Sequence, residues 1–168
     1  AFQQVIVDAI ASSDRSVVSI ARVAKVAEGD TARADTQPNM IPFAAVLNAG
    51  LNQPPDPTNP EFVPSAFATG VVLDRRGLVL TNHHVLALQE PSDFYITTAA
   101  RKVFKATVKA ADPFNDLAIL EVTEAVGDKD FTPIKLGDAS TLRKGQIVIA
   151  LGNPYAIARD GQASASWG

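Results

Sequence analysis

No cysteine occurs in the 168 residues, so disulfides and thiolate metal sites are excluded. The redox compartment stays open, because a cysteine-free chain suits any of them. No apolar run approaches the length needed to span a bilayer; IVIAL at 147–151 is typical of the longest. No basic run is present either. Fifteen basic and 18 acidic residues leave a formal net charge of -3, with no electrostatic footprint for nucleic acid or an anionic membrane. Methionine does not open the chain, which begins at Ala1, and a processed or excised segment is the expectation. No internal repeat of solenoid period is found.

What is present is a globular composition. At 46% hydrophobic, the chain can bury one sizeable core, or one complete small domain and part of a second. Phe2, Val5, Ile6, Ala9 and Ile10 recur at helical spacing, which predicts a short amphipathic helix over 1–12. Segments rich in β-branched residues and broken by turn residues follow at 16–27, 67–73, 78–81, 94–98, 103–110, 117–122 and 146–151. In VFKATVKA the set Phe104, Ala106, Val108 and Ala110 alternates with Val103, Lys105, Thr107 and Lys109, the pattern of a half-buried strand. DRRG at 74–77 reads as a hairpin turn in which Gly77 supplies a positive φ. Many short strands with few helices predict an all-β barrel or sandwich.

Residues 28–65 interrupt this rhythm. Five of the eleven prolines fall in NQPPDPTNPEFVP at 52–64, and proline cannot join a sheet interior, so a long loop with a polyproline-like arm is expected. Its centre, MIPFAAVLNAGL at 40–51, is apolar enough for a short helix ending at Gly50. Such a helix can pack on its own domain or dock on another subunit, and the sequence does not separate the two.

Only two histidines exist, adjacent in LTNHHVL at 80–86. An isolated histidine in an apolar segment is more often structural than chemical, so partners decide its meaning. Adjacent histidines in an extended strand point to opposite faces, and no third histidine or HExxH-like spacing accompanies them, which argues against a metal site. The other option is a general base oriented by a buried carboxylate. FNDLAIL at 114–120 supplies a candidate, Asp116, at the start of a buried strand. An aspartate there is often only a turn residue, so the pair taken alone is a weak signal.

The ordered set of motifs is more specific. SVVSI (16–20), TGVVLDRRGLVLTNHHVL (69–86), DPFNDLAILEV (112–122) and LGDASTLRKGQIVIALGNP (136–154) together resemble the protease domain of the HtrA (Do-like, DegP/DegQ/DegS-like) trypsin-fold serine peptidases. The resemblance covers most of the chain outside the proline-rich insertion. It implies an all-β, chymotrypsin/trypsin-like double antiparallel β-barrel. By this reading, residues 1–15 are a helical lead-in, and 16–135 hold the first barrel with the 28–65 insertion. Residues 136–168 are a linker and the incomplete start of the second barrel. It also implies that His84 and Asp116 are the catalytic base and its orienting acid, while His83 is non-catalytic. Asp116 would accept from the imidazole, and His84 would take the proton of a serine hydroxyl and return it to the leaving amine. Thr81 and Asn82 are expected either to hold the histidine segment or simply to form a turn. No specific role is carried onto YAIARDGQASASWG at 155–168, which departs from the family's usual form.

One family element is absent. No G-x-S-G-G or G-x-S-x-G occurs, and Ser164 and Ser166 lack the flanking glycines of an oxyanion hole. The nucleophile is expected beyond Gly168, within the N-terminal part of a longer peptidase, and these residues alone are expected to be inactive. The resemblance further implies unfolded or damaged polypeptides as substrates, PDZ domains elsewhere, no metal or organic cofactor, a trimer or a multiple of it, and an envelope or periplasmic location. A non-catalytic trypsin-like scaffold that binds unfolded polypeptides or supports assembly is the alternative. A β-barrel binding module unrelated to proteolysis would require the four motifs to be coincidence.

Overall fold

The computed structural model describes residues 2–25, 66–86, 91–152 and 163–168. The expected proline-rich loop at 28–65, its helix at 40–51, and most of the stretch after Gly152 lie outside the described residues. A helix, α1 (Phe2–Ser13), leads through a 3₁₀ turn at Asp14–Ser16 into β1 (Val17–Ala24). The strands β2 (Ala66–Val72), β3 (Leu78–Thr81), β4 (Ser92–Thr97), β5 (Val103–Asp112) and β6 (Leu117–Val122) follow. A two-stranded sheet of β7 (Ile149–Gly152) and β8 (Ser164–Trp167) lies at the C-terminal end.

The first six strands close into one antiparallel barrel in the order β1-β2-β3-β6-β5-β4. Closure comes from β1, which pairs with β2 on one side (Ile20 opposite Ala68) and with β4 on the other (Ile20 opposite Ile96). No edge of this sheet is left to pair elsewhere. Alternation along the strands sends Val18, Ile20, Val72, Val79, Ile96, Ala118 and Leu120 to the interior, where they form one aliphatic core. Gly70 also sits there. A Cβ on it would lie 2.9 Å from Ile20 Cδ1 and closer still to Val79 Cγ1, so the barrel closes tightly only because that position carries no side chain. Phe131, beyond the last barrel strand and 1% exposed, plugs the core with its ring 5.0 Å from that of Phe104. Ile134 N–H donates to Val72 O at 2.9 Å and holds this segment against β2.

The β2–β3 turn follows its sequence signature. Gly77 has φ of 89°, and Asp74 Oδ1 accepts from the N–H of Arg76 (2.9 Å) and of Leu78 (3.1 Å). These contacts hold the Asp74 carboxyl below its ordinary pKa; burial opposes that, and the Leu78 and Arg76 donors outweigh it.

Two expectations are corrected and one is met. Along β5 the inward face stops at Ala106: Val108 and Ala110 are exposed, because a bulge between Val108 and Ala110 shifts the register against β6 and carries the strand off the core. The short helix expected over 1–12 is present as α1, with Phe2 and Val5 exposed and Ile6 and Ile10 half-buried where the helix lies beside β7. The adjacent histidines are not in an extended strand; they open a 3₁₀ turn, His83–Leu86.

Candidate functional site

The site is built where two strand ends meet. β3 pairs with β6 so that Thr81 faces Ala118, which brings the residues after Thr81 alongside the residue before Leu117. Thr81 is buried, and its hydroxyl donates to Thr69 O at 2.9 Å, pinning the end of β3 to β2. One residue on, the chain curls into the His83–Leu86 turn. Val85 N–H donates to Asn82 O at 3.3 Å, and beneath the turn Val85 packs on the core while Leu86 is buried in it. Apolar burial thus anchors a turn on which the His84 side chain stays exposed.

Asp116 ends the opposite segment in a left-handed conformation, φ 54°, which aspartate tolerates better than most residues. Asp112 shapes that segment. Its Oδ1 accepts from Phe114 N–H (3.1 Å) and Asn115 N–H (3.2 Å), and its Oδ2 accepts from Asn115 Nδ2 (2.6 Å). The Asn115 side chain, then its backbone N–H, hold the Asp112 carboxyl below its ordinary pKa, with His83 a smaller contributor.

His84 and Asp116 face each other through two contacts. Nδ1 of His84 lies 2.7 Å from Asp116 Oδ2, and His84 N–H donates to Asp116 Oδ1 at 2.9 Å. His83 N–H donates to Asp116 O at 3.1 Å, and Asn82 Nδ2 donates to Asp116 O (3.3 Å) and Oδ2 (3.2 Å). The Asp116 pKa is lowered, first by the His84 backbone N–H and next by its imidazole, with Asn82 adding a smaller share. An ionised carboxylate only accepts, so the proton between the two side chains belongs to Nδ1 and the lone pair of the neutral ring to Nε2. The His84 side chain is 72% exposed. Chemically, the pair is a base whose tautomer is set by its neighbour.

The two histidines differ in their surroundings. The ring of His84 meets Asp116, whereas Nε2 of His83 is sealed from solvent with no hydrogen-bond partner among the described residues. The carboxylate of Asp116 is not buried as the sequence reading expects. Asp116 retains 45% side-chain exposure, because it belongs to a surface turn and β6 begins only at Leu117. The contacts of Asn82 go beyond the holding or turn-forming role read from sequence; the signal available was its place beside the histidines and its two-donor amide. Among the described residues, no group of three or more histidine, aspartate or glutamate side chains gathers as metal ligands would.

Comparison with known proteins gives this geometry a family. Residues 68–168 match the family described as "Trypsin-like peptidase domain". Serine protease HTRA4 of Mus musculus is 36% identical over 100 residues, covering 60% of this chain and 20% of that protein. Serine protease HTRA2, mitochondrial, of Drosophila virilis is 33% identical over 95 residues, 56% of this chain and 22% of that protein. A Pseudomonas fluorescens protein named "Probable periplasmic serine endoprotease DegP-like" is 27% identical over 145 residues, 83% of this chain and 29% of that protein. The chain therefore spans between about a fifth and a third of the length of these relatives. With a closed antiparallel barrel and the family match over 68–168, the chain belongs to the trypsin-like peptidase domain family.

Proposed function

We propose that the chain carries the base-and-acid half of a serine endopeptidase of the HtrA type, with His84 as general base and Asp116 as its orienting acid. The observation behind this is the 2.7 Å contact between His84 Nδ1 and Asp116 Oδ2 in a His84 side chain that is 72% exposed. In this reading Asp116 holds the proton on Nδ1 and stabilises the imidazolium. Nε2 takes the proton from a seryl Oγ as that oxygen attacks the peptide carbonyl, then hands it to the leaving amine. The serine and its oxyanion hole come from sequence outside residues 1–168, since no serine here stands in a glycine-rich turn. These residues alone are inactive.

The domain boundaries belong to the same reading: a lead-in at 1–15, a first barrel at 16–135 and the start of a second barrel at 136–168. The place of Phe131 in the barrel core supports the extension to 135. The parent enzyme cuts unfolded or damaged polypeptides as a trimer or a multiple of it. It works in the cell envelope or periplasm, a location for which the name of the DegP-like relative is the support.

The test uses the longer polypeptide that carries this chain. His84→Ala lowers kcat on casein by on the order of 10⁴-fold or more, and His83→Ala leaves it within a few-fold. Equal losses from both substitutions, or a continuation past Gly168 without a glycine-flanked serine, overturn the reading.

A further inference from the structure

We propose that Asn82 is a positioning residue for the His84–Asp116 pair, its side-chain amide clasping Asp116 so that Oδ2 is held toward Nδ1 of His84. The inference rests on the reading of His84 as a base and deepens it.

Asp116 lies on a surface turn in a left-handed conformation, and its side chain is 45% exposed. A carboxylate so placed has alternative rotamers open to water, and its two contacts to His84, the backbone N–H on Oδ1 (2.9 Å) and Nδ1 on Oδ2 (2.7 Å), both come from one residue. Asn82 adds a restraint from a second residue. Its Nδ2 reaches both the main-chain oxygen of Asp116 (3.3 Å) and the carboxylate Oδ2 (3.2 Å), bridging the backbone of the residue to its own side chain. Each contact is long for a hydrogen bond, so the effect is geometric more than energetic. The amide can point only one way, because the reverse orientation would set its carbonyl against two oxygens that cannot donate.

Asn82 acts on the other partner as well. Its main-chain oxygen accepts from Val85 N–H at 3.3 Å and closes the turn that carries His84. One residue therefore braces the histidine through its backbone and the aspartate through its side chain, and only the second role depends on its identity. Asparagine fits it where close relatives in shape do not. Aspartate presents acceptors to acceptors and adds a like charge, and alanine leaves Oδ2 with the imidazole as its sole side-chain partner among the described residues.

The experiment reads the tautomer of His84. In the 168-residue chain labelled with ¹⁵N-histidine, only two imidazoles report, and His83→Ala identifies them. The neutral His84 ring is expected to hold its proton on Nδ1. Asn82→Ala and Asn82→Asp each lower the ratio of the Nδ1–H to the Nε2–H form on the order of tenfold, without changing the melting midpoint by more than a few degrees. In the longer polypeptide the same substitutions lower kcat on the order of tenfold, with KM unchanged. A tautomer ratio unaltered in both variants, whether or not the midpoint falls, overturns the inference and leaves Asn82 a turn former. If the longer wild-type polypeptide cleaves nothing, the proposed function fails, and the tautomer ratio still decides the part of Asn82.

Discussion

Asp116 holds His84 at both ends of the same residue: one carboxylate oxygen accepts from its backbone N–H at 2.9 Å and the other faces its ring Nδ1 at 2.7 Å. The backbone contact fixes where the histidine sits, and the ring contact fixes which nitrogen is protonated. Asp116→Asn separates the two. The amide oxygen can still accept from the backbone N–H, but the amide nitrogen then faces Nδ1 as a donor and drives the proton to Nε2. In the longer polypeptide, kcat near neutral pH should fall by about 10⁴-fold with the fold retained. Circular dichroism checks the fold, and a loss confined to KM would contradict the tautomer argument.

A second ionic cluster, away from the site, gives the barrel a pH dependence with two limbs. Asp93 on β4 lies 3.2 Å from Lys25 Nζ and 3.1 Å from Lys105 Nζ. Burial pushes the Asp93 carboxyl upward, and Lys105 and then Lys25 more than reverse it, leaving its pKa below the ordinary 3.8. Lys105 is raised above its ordinary 10.5, chiefly by its hydrogen bond to Asp93. A depressed carboxyl stabilises the fold above its unfolded pKa and loses that contribution as pH falls through the lower folded value. A raised lysine stabilises below its unfolded pKa and loses that contribution as pH climbs through the higher folded value. Both contributions are present between about pH 5 and 9. Because all three side chains are partly exposed, Asp93→Asn should cost no more than about 1 kcal/mol in that window. Urea midpoints across pH should show the difference from wild type shrinking below pH 4 and above pH 10; a constant difference would mean that packing, not charge, is lost.

Most of the barrel was legible because its strands alternate and its turns carry their own chemistry. LVLT and LAILEV form β3 and β6 where their β-branched runs begin and end, and DRRG makes its turn with the glycine at positive φ. Failures occurred where a partner, not a local pattern, decides. SASW is only four residues long and exposed throughout, and it forms β8 because β7 offers it a ladder, with Val148 and Gly168 exchanging hydrogen bonds at its end. The second half of β5 alternates correctly but leaves the core at a bulge that no residue type announces. At the site, the residue types and order pointed to His84 and Asp116 as neighbours. The turn geometry, the exposure of Asp116 and the double contact of Asn82 depend on how β3 and β6 end side by side, which periodicity does not encode.

The interior glycine provides a test of barrel packing. At Gly70 a methyl group would press on Ile20 and Val79, both rigid β-branched side chains in the core, whereas at Gly137 it would meet nothing within 4 Å. Gly70→Ala should destabilise by about 1–3 kcal/mol through overpacking, and Gly137→Ala should stay within about 0.5 kcal/mol. Equilibrium denaturation of the two variants checks this; similar costs would mean that the barrel relaxes around the added carbon.

Phe131 decides whether the chain after β6 is part of the barrel or only a tether. Its ring is 1% exposed and lies tilted at 5.0 Å from that of Phe104, although it belongs to no strand. The neighbouring main chain is tied down by Ile134 N–H to Val72 O and by Asp130 N–H to Gly127 O at 3.0 Å. Removing such a ring forfeits its burial and leaves a cavity that closed strands cannot collapse into, at a cost of about 3–5 kcal/mol. Phe131→Ala should therefore lower stability by that amount, and Phe131→Leu by distinctly less. If the segment were a tether, both variants would unfold at the wild-type midpoint. A large loss in the first and a partial recovery in the second would place the end of the barrel after Phe131, not at Val122.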